Sequence, residues 1–334
     1  MAGHRRVTVR AIAAETGMSI ATVSRALNDH ASVAPPTRAL VHEAAERLRA
    51  RIGLSDQPRG GTVFVRCPYV LTDYFGLIVT SIAETLTLHG RRLVLTAGEA
   101  AQRTPLLADL DARYGLTGVI VILPPEPGDD LVELRRRGIP FVVVDPRTAL
   151  PRDIVSVSAA HFAGARRLTA HLVGLGHRRI GVIGGPTEWL ASDARLAGHN
   201  AALADVGVLP SGELLRSVEP TTERGHRAAG ELLDLPNRPT ALVCFNDKAA
   251  VGALRAAAER GLRIPADLSV TGFDDLDLAQ ATGLTTVRQP LQEMGRMAVT
   301  LLVRLLERHE LDALHIELAT ELVIRSSAAP PPAA

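Results

Sequence analysis

The sequence predicts an α/β chain: a three-helix headpiece at the N-terminus, then two doubly wound parallel-sheet subdomains. After residue 60, short apolar runs alternate with helical stretches. Apolar runs separated by helices describe parallel strands buried on both faces of a sheet. The alternation starts afresh near residue 178, so two sheets are expected. Before residue 50 the pattern is helical only, and a small-residue turn breaks it within "ETGMSIATVSRALN" (15–28).

The headpiece reads in order. Thr8 can cap a first helix running to about Glu15, with Ile12 and neighbouring Ala and Val residues facing inward. Gly17 suits the positive-φ residue of a tight turn, and Ser19 can cap the second helix. On that helix Val23, Ala26 and Leu27 form one narrow apolar stripe, while Thr22, Ser24, Arg25 and Asn28 remain on the other side. A third helix starts at Pro35 or Pro36, with Leu40, Val41, Ala44 and Leu48 expected on one face. Three short helices with this turn make a helix-turn-helix, whose second helix presents polar side chains to the major groove. A bundle with a merely solvated polar face is the alternative; the glycine turn, the caps and the terminal position oppose it.

In the body, strands are expected at 62–67, 91–97, 118–123, 140–145 and 154–158, then at 178–185, 241–246 and 268–274, with a weaker one near Leu214–Val218. A ligand of two such subdomains belongs in the crevice at the strands' carboxyl ends. Polar residues stand there: Asp145, Asn246, Asp247, Asp274 and Asp275. Each can either meet ligand hydroxyls or cap the helix or turn that follows.

Composition bounds the function. The chain has 334 residues, 46% hydrophobic and 22% charged, an ordinary globular balance. Runs such as "GVIVIL" are too short to span a bilayer, and no basic and apolar leader opens the chain, so neither membrane nor export is expected. Cys67 and Cys244 sit apart in apolar runs and read as buried free thiols of a cytoplasmic protein. The net charge of +1 hides an asymmetry: residues 1–60 carry +4 and the remainder −3. A basic head on a slightly acidic body is the footprint of a nucleic-acid contact. Motifs for phosphate loops, zinc peptidases, serine nucleophiles and paired cysteines do not occur, and His161, His171 and His177 are spaced too loosely for a metal. No enzyme, cofactor or metal is expected; a sugar- or nucleoside-processing α/β enzyme is the remaining alternative of another class.

The stretch "VTVRAIAAETGMSIATVSRALN...VAPPTRALV" resembles the headpiece of the LacI/GalR family of bacterial transcription regulators, notably at Thr22-Val23-Ser24-Arg25, Leu27-Asn28 and Thr37-Arg38. The resemblance runs through nearly the whole chain. It implies a body like that of type I periplasmic sugar-binding proteins, with chain crossovers near 158–161, 288–291 and 319–322. The domains expected are a headpiece at 1–50, a linker at 51–61, and a body at 62–326, followed by a tail at 327–334. Within the body, subdomain one takes 62–159 and 291–319, and subdomain two takes 160–288 and 320–326.

The resemblance also assigns roles. Ile20, Ala21, Thr22 and Arg25 are expected nearest base edges, with Ser24, Asn28, Thr37 and Arg38 nearer phosphates and the caps Thr8 and Ser19 in the same DNA-facing set. Arg195 matches the family arginine that forks onto ligand hydroxyls, and Asp274 and Asn246 are implied ligand contacts. Asp73, Tyr74, Phe75 and Asp145 join them, with Phe162 and Trp189 near the cleft loops as candidate sugar-stacking aromatics. A homodimer on a pseudo-palindromic operator, released or held by a mono- or oligosaccharide, is the implied mechanism; a purine-responsive regulator of the same fold is the alternative. The linker "RARIGLSDQPRGGTVFV" (49–65) departs from the family pattern. With Gly53, Pro58, Gly60 and Gly61 it does not read as a long hinge helix, and Leu54 is its one minor-groove wedge candidate.

Overall fold

The computed structural model describes residues 9–27, 33–51, 61–103, 105–106, 110, 115–126 and 128–332. Thr8, Asn28 and Leu54, and with Leu54 most of the expected linker, lie outside the described residues. Two compact units divide the chain: Met1–Thr62 with His89–Arg92, and Val63–Leu88 with Leu93–Ala334.

The headpiece contains α1 (Val9–Thr16), α2 (Ile20–Leu27) and α3 (Pro35–Arg51). Gly17 takes φ +68°, the left-handed turn that a side chain would strain. Ser19 Oγ accepts from the Thr22 backbone N–H at 3.1 Å and caps α2. Ile12, Ala13, Val23, Ala26, Val33, Val41, Ala44 and Ala45 form the core. Leu40, expected inward, is 45% exposed. The buried stripe of α3 runs through Val41, Ala44 and Ala45 towards Leu48, and Leu40 lies about 100° away from it on the helix.

The body is α/β, as expected. Strands β1 (Thr62–Cys67), β2 (Arg92–Ala97), β3 (Leu116–Ile122), β4 (Phe141–Val144), β5 (Ser156–Ala159) and β11 (His315–Leu318) form one sheet in the order β11-β5-β4-β3-β1-β2. Its β3–β4, β4–β5 and β5–β11 pairs are parallel. A second, parallel sheet has the order β7-β6-β8-β9, from Leu215–Ser217, Ile180–Gly184, Ala241–Cys244 and Ser269–Thr271. Helices α4 (Asp73–Leu88), α5 (Gly98–Arg103), α6 (Gly128–Arg136) and α12 (Leu291–Leu306) accompany the first sheet. Helices α7 (His161–Gly174), α8 (Leu190–Ala204), α9 (Thr222–Leu233), α10 (Asp247–Glu259) and the short α11 (Asp277–Ala281) accompany the second. The central strands of each sheet are buried on both faces, which is why they read as nearly continuous apolar runs, whereas the edge strands β2, β7 and β11 are partly exposed.

The chain passes between the sheets at three places: from β5 into α7, from β10 (Thr286–Arg288) into α12, and from β11 into β12 (Glu321–Val323). Strands β10 and β12 pair antiparallel beside these passages. Residues 327–329, assigned to a tail in the sequence, are built into the second sheet's edge. Ser327 O accepts from Val270 N at 2.9 Å, Ala329 N donates to Ser269 Oγ at 3.1 Å, and His177 Nε2 lies 2.9 Å from Ala329 O. Cys67 and Cys244 are free and buried, and burial pushes both thiols up, Cys67 to about 11. No helix among the described residues is long and apolar enough to cross a membrane.

Candidate functional site

The headpiece presents an exposed face on α2. Ile20 is 50% exposed at its first position, an apolar residue that the core does not use. Ser19, Ala21 and Arg25 are also exposed, whereas Thr22 and Ser24 are half-buried. Arg25 Nε donates to Ala21 O at 3.2 Å, and Thr22 Oγ1 lies 2.8 Å from Ser19 Oγ, tying the cap to the helix's first turn. At the start of α3, Thr37 and Arg38 are half-buried, and Arg38 Nη2 donates to Val33 O at 3.2 Å. The exposed set Ile20, Ala21 and Arg25 combines an apolar side chain, a small residue and a guanidinium, chemistry that can meet base edges.

The body holds a cavity of about 280 Å³, lined from the carboxyl ends of both sheets. Tyr69 follows β1, Leu123 follows β3 and Asp145 follows β4; Trp189 follows β6, Glu219 follows β7, Phe245 and Asn246 follow β8, and Asp274 follows β9. Leu123, Asp145 and Asp274 all have positive φ, at 45°, 52° and 119°. Backbone held in that region costs about 1–3 kcal/mol per residue and collects at functional sites.

Arg195, on α8, lies at the centre. Its guanidinium lies over the rings of both Phe245, at 4.3 Å, and Phe273, at 3.8 Å. It donates to the Phe245 carbonyl, and its Nη2 lies 3.3 Å from His161 Nδ1. Burial pulls the guanidinium down from its ordinary value; Asp274, Tyr74 and Asp145 pull it back up. It keeps its proton, as arginine does.

The carboxylates around it differ. Asp145 accepts from the Tyr74 hydroxyl at 3.1 Å and lies 2.8 Å from His161 Nε2. Burial alone would raise it, but His161, Arg195 and Tyr74 together hold it below the usual carboxylate range. Asp274 Oδ1 accepts from Gln289 Nε2 at 2.7 Å, and burial pushes this carboxyl up to about 8 against the pull of Arg195. Asp247 is buried beneath the cleft, accepting from Thr286 Oγ1 at 2.6 Å and Leu276 N at 2.9 Å; burial pushes it up to about 6. Asp275 turns away to Arg288 and Arg325, both at 2.7 Å.

Of the residues singled out in the sequence, Tyr74, Phe75, Asp145, Trp189, Arg195, Asn246 and Asp274 line the cavity together. Asn246 Oδ1 caps α10 by accepting from Ala249 N at 2.9 Å, and the residue also borders the cavity. Asp73 and Phe162 are not among the lining residues; Phe162 is 45% exposed on α7. Trp189 is not an open platform. Arg147 covers its ring at 4.9 Å, Phe245 meets it edge-on at 6.0 Å, and its Nε1–H is buried without a partner among the described residues. Tyr69, Thr72, Glu219, Thr221 and Lys248 also line the cavity, and none of them is marked by a motif in the sequence, because they come from loops and helix starts of no distinctive pattern. One signal existed: Lys248 is the chain's single lysine.

Comparison with known proteins agrees with both parts. Residues 8–49 match the family described as bacterial regulatory proteins, lacI family, and residues 169–328 match a periplasmic binding protein-like domain. The chain is 32% identical over 333 residues to the HTH-type transcriptional repressor CytR of Escherichia coli (strain K12), covering 96% of each chain. Among solved structures it is similar to a transcriptional regulator CelR–cellobiose complex, with TM-score 0.74 and 29% identity over 96% of this chain and 100% of that one. It is likewise similar to a lac repressor dimer bound to operator and the anti-inducer ONPF, with TM-score 0.74 and 27% identity over 97% and 100% of the two chains.

Proposed function

Because the chain belongs to the LacI family of bacterial regulatory proteins, and so is a DNA-binding transcriptional regulator, we propose that it represses carbohydrate-utilisation genes and that a small sugar in the body cleft sets its operator affinity. One observation carries this reading: Arg195, Asp145, Asn246 and Asp274 converge on a cavity of about 280 Å³ walled by aromatic side chains. A guanidinium, carboxyl groups and an amide match the hydroxyls of a sugar, and the aromatic walls match its apolar faces. The likeness to a cellobiose-bound regulator supports a carbohydrate. The likeness to an operator-bound dimer supports two headpieces on a pseudo-palindromic operator. Ile20, Ala21, Thr22 and Arg25 then face base edges, and Ser24, Thr37 and Arg38 face phosphates.

A second reading, a purine or nucleoside effector, is favoured by the rings of Tyr69 and Phe75. They are stacked at 4.6 Å within 6° of parallel and line the same cavity as Trp189, whose N–H has no partner among the described residues. Such a wall suits a flat heterocycle with an acceptor on its edge.

Trp189 is the sole tryptophan and lines the cleft, so its emission reports on binding directly. The full-length protein, with operator DNA selected from random sequence, is titrated with ribose, cellobiose, other mono- and disaccharides, and nucleosides. A sugar that shifts Trp189 emission and changes operator affinity at least tenfold is expected. A response to nucleosides alone moves the assignment to the second reading, and a protein that selects no operator overturns the function.

A further inference from the structure

His161 is buried behind the cleft lining, against Asp145 and Arg195, and has no part in the reading above. It is the first residue of α7, reached directly from β5 where the chain leaves the first sheet. Both its nitrogens are engaged: Nε2 lies 2.8 Å from Asp145 Oδ1, and Nδ1 lies 3.3 Å from Arg195 Nη2. A guanidinium has donors only, so a hydrogen bond from Arg195 requires Nδ1 to accept, which puts the ring's proton on Nε2, facing Asp145. Asp145, which also accepts the Tyr74 hydroxyl, takes the Nε2–H.

Arg195 has few other restraints. Phe245 and Phe273 fix the plane of its guanidinium, and the Phe245 carbonyl holds Nη1. A single in-plane bond leaves the fork free to pivot; a second one, to His161, stops the pivot. The two contacts of the imidazole also come from different halves of the body. Asp145 ends a strand of the first sheet, whereas Arg195 belongs to a helix of the second.

We propose that His161 is a positioning residue for Arg195: as a neutral imidazole protonated on Nε2, it locks the guanidinium in its cleft-facing orientation and registers the two halves of the cleft through Asp145. This rests on the cleft being the effector site, so the test uses no effector, and failure of either idea shows separately.

The variants are His161→Gln, whose amide can donate to Asp145 and accept from Arg195 at once, and His161→Leu, which can do neither. Trp189 stands edge-on to Phe245, whose carbonyl Arg195 also binds, so Trp189 emission senses the position of Arg195. Two measurements are made on the full-length, ligand-free protein. Nitrogen-15 NMR, with the His161 signals identified by their loss in His161→Gln, is expected to show a pyridine-type Nδ1 and a pyrrole-type Nε2. Trp189 emission and its quenching by acrylamide are expected to change in His161→Leu and to return to wild-type values in His161→Gln. A proton on Nδ1, or a His161→Gln protein whose emission departs from wild type, overturns the proposal; so does a folded His161→Leu protein with wild-type emission. Should His161→Leu fail to fold, the tautomer and the His161→Gln emission still decide.

Discussion

Burial pushes the Asp274 carboxyl up to about 8, although Arg195 opposes it and Gln289 donates to it. An unfolded aspartate titrates near pH 3.9. The folded protein therefore holds this proton more tightly than the unfolded chain does. The contribution to stability is full below about pH 4 and is lost as the pH rises through about 8. Asp274→Asn removes that loss, so its thermal midpoint is expected to fall less than wild type between about pH 5 and pH 9 in the absence of effector. Calorimetric scans of both proteins across that range check it, and parallel curves would show that Asp274 does not titrate there. Asp247, pushed up to about 6 and itself helping to raise Asp274, also titrates in this range, so the comparison reads Asp274 together with its interaction with Asp247. Asp145, Asn246 and Asp274 were legible in the sequence because they close apolar strands, a position that a parallel sheet turns into a cleft wall. Neighbours along a helix were harder. Phe162 follows His161 and Asp73 precedes Tyr74, and one residue is a turn of about 100°, enough to exchange the cleft for solvent. His161 itself was weighed only as a metal ligand, because Asp145 and Arg195 lie 16 and 34 residues away in sequence.

Helix α8 carries Arg195 and packs on α7, which begins with His161, so the spacing of the two helices sets the geometry of that pair. Gly198 makes the close approach possible. A Cβ there would collide with the Phe162 carbonyl oxygen and lie 3.0 Å from Arg166 N, both backbone atoms of α7 that cannot rotate aside. Gly198→Ala should therefore spread the helices and cost about 1–3 kcal/mol or somewhat more, the range for overpacked contacts. Chemical denaturation measures the loss. A folded Gly198→Ala protein should also show altered Trp189 emission, because Arg195 moves relative to Phe245 and His161; unchanged stability would mean the helices have room that the close approach denies. The elements themselves were largely readable, since two buried sheets impose continuous apolar strands and the headpiece imposes helical stripes. What was unreadable depends on partners distant in sequence. Arg66 sits fully buried within β1, where a charge argues against a strand, because Glu126 and the Ala101 carbonyl receive it. Residues 327–329 carry no strand pattern, and it is Ser269, Val270 and His177 that order them.

The chain divides its charge as it divides its labour: nine arginines and five acids in residues 1–60, and a net −3 over the remainder. Operator affinity should then depend steeply on salt, with a log–log slope of about −0.9 for each phosphate neutralised. Arg25 is exposed on α2, its Nε donating to the Ala21 carbonyl, and among the described residues no carboxylate pairs with it, which makes it the guanidinium expected at a base edge. Arg25→Ala is expected to cost about 1–3 kcal/mol on the selected operator and little on unrelated DNA. Asp274→Ala, in contrast, should bind operator with wild-type affinity and salt slope while losing most of the effector response. A ligand moves an equilibrium only by its differential affinity for the two states, so a body that no longer grips the sugar transmits nothing, however well the headpiece binds. Loss of one buried hydrogen-bonding partner corresponds to about 1–3 kcal/mol, or roughly fivefold to 150-fold in effector affinity. Anisotropy titrations of both variants against operator, with and without the sugar identified by Trp189 emission, separate the two functions. If Arg25→Ala weakened specific and non-specific DNA equally, the arginine would be a phosphate contact. If Asp274→Ala lost operator binding as well, the carboxyl would be maintaining the fold of the body, and its assignment to the effector would fail.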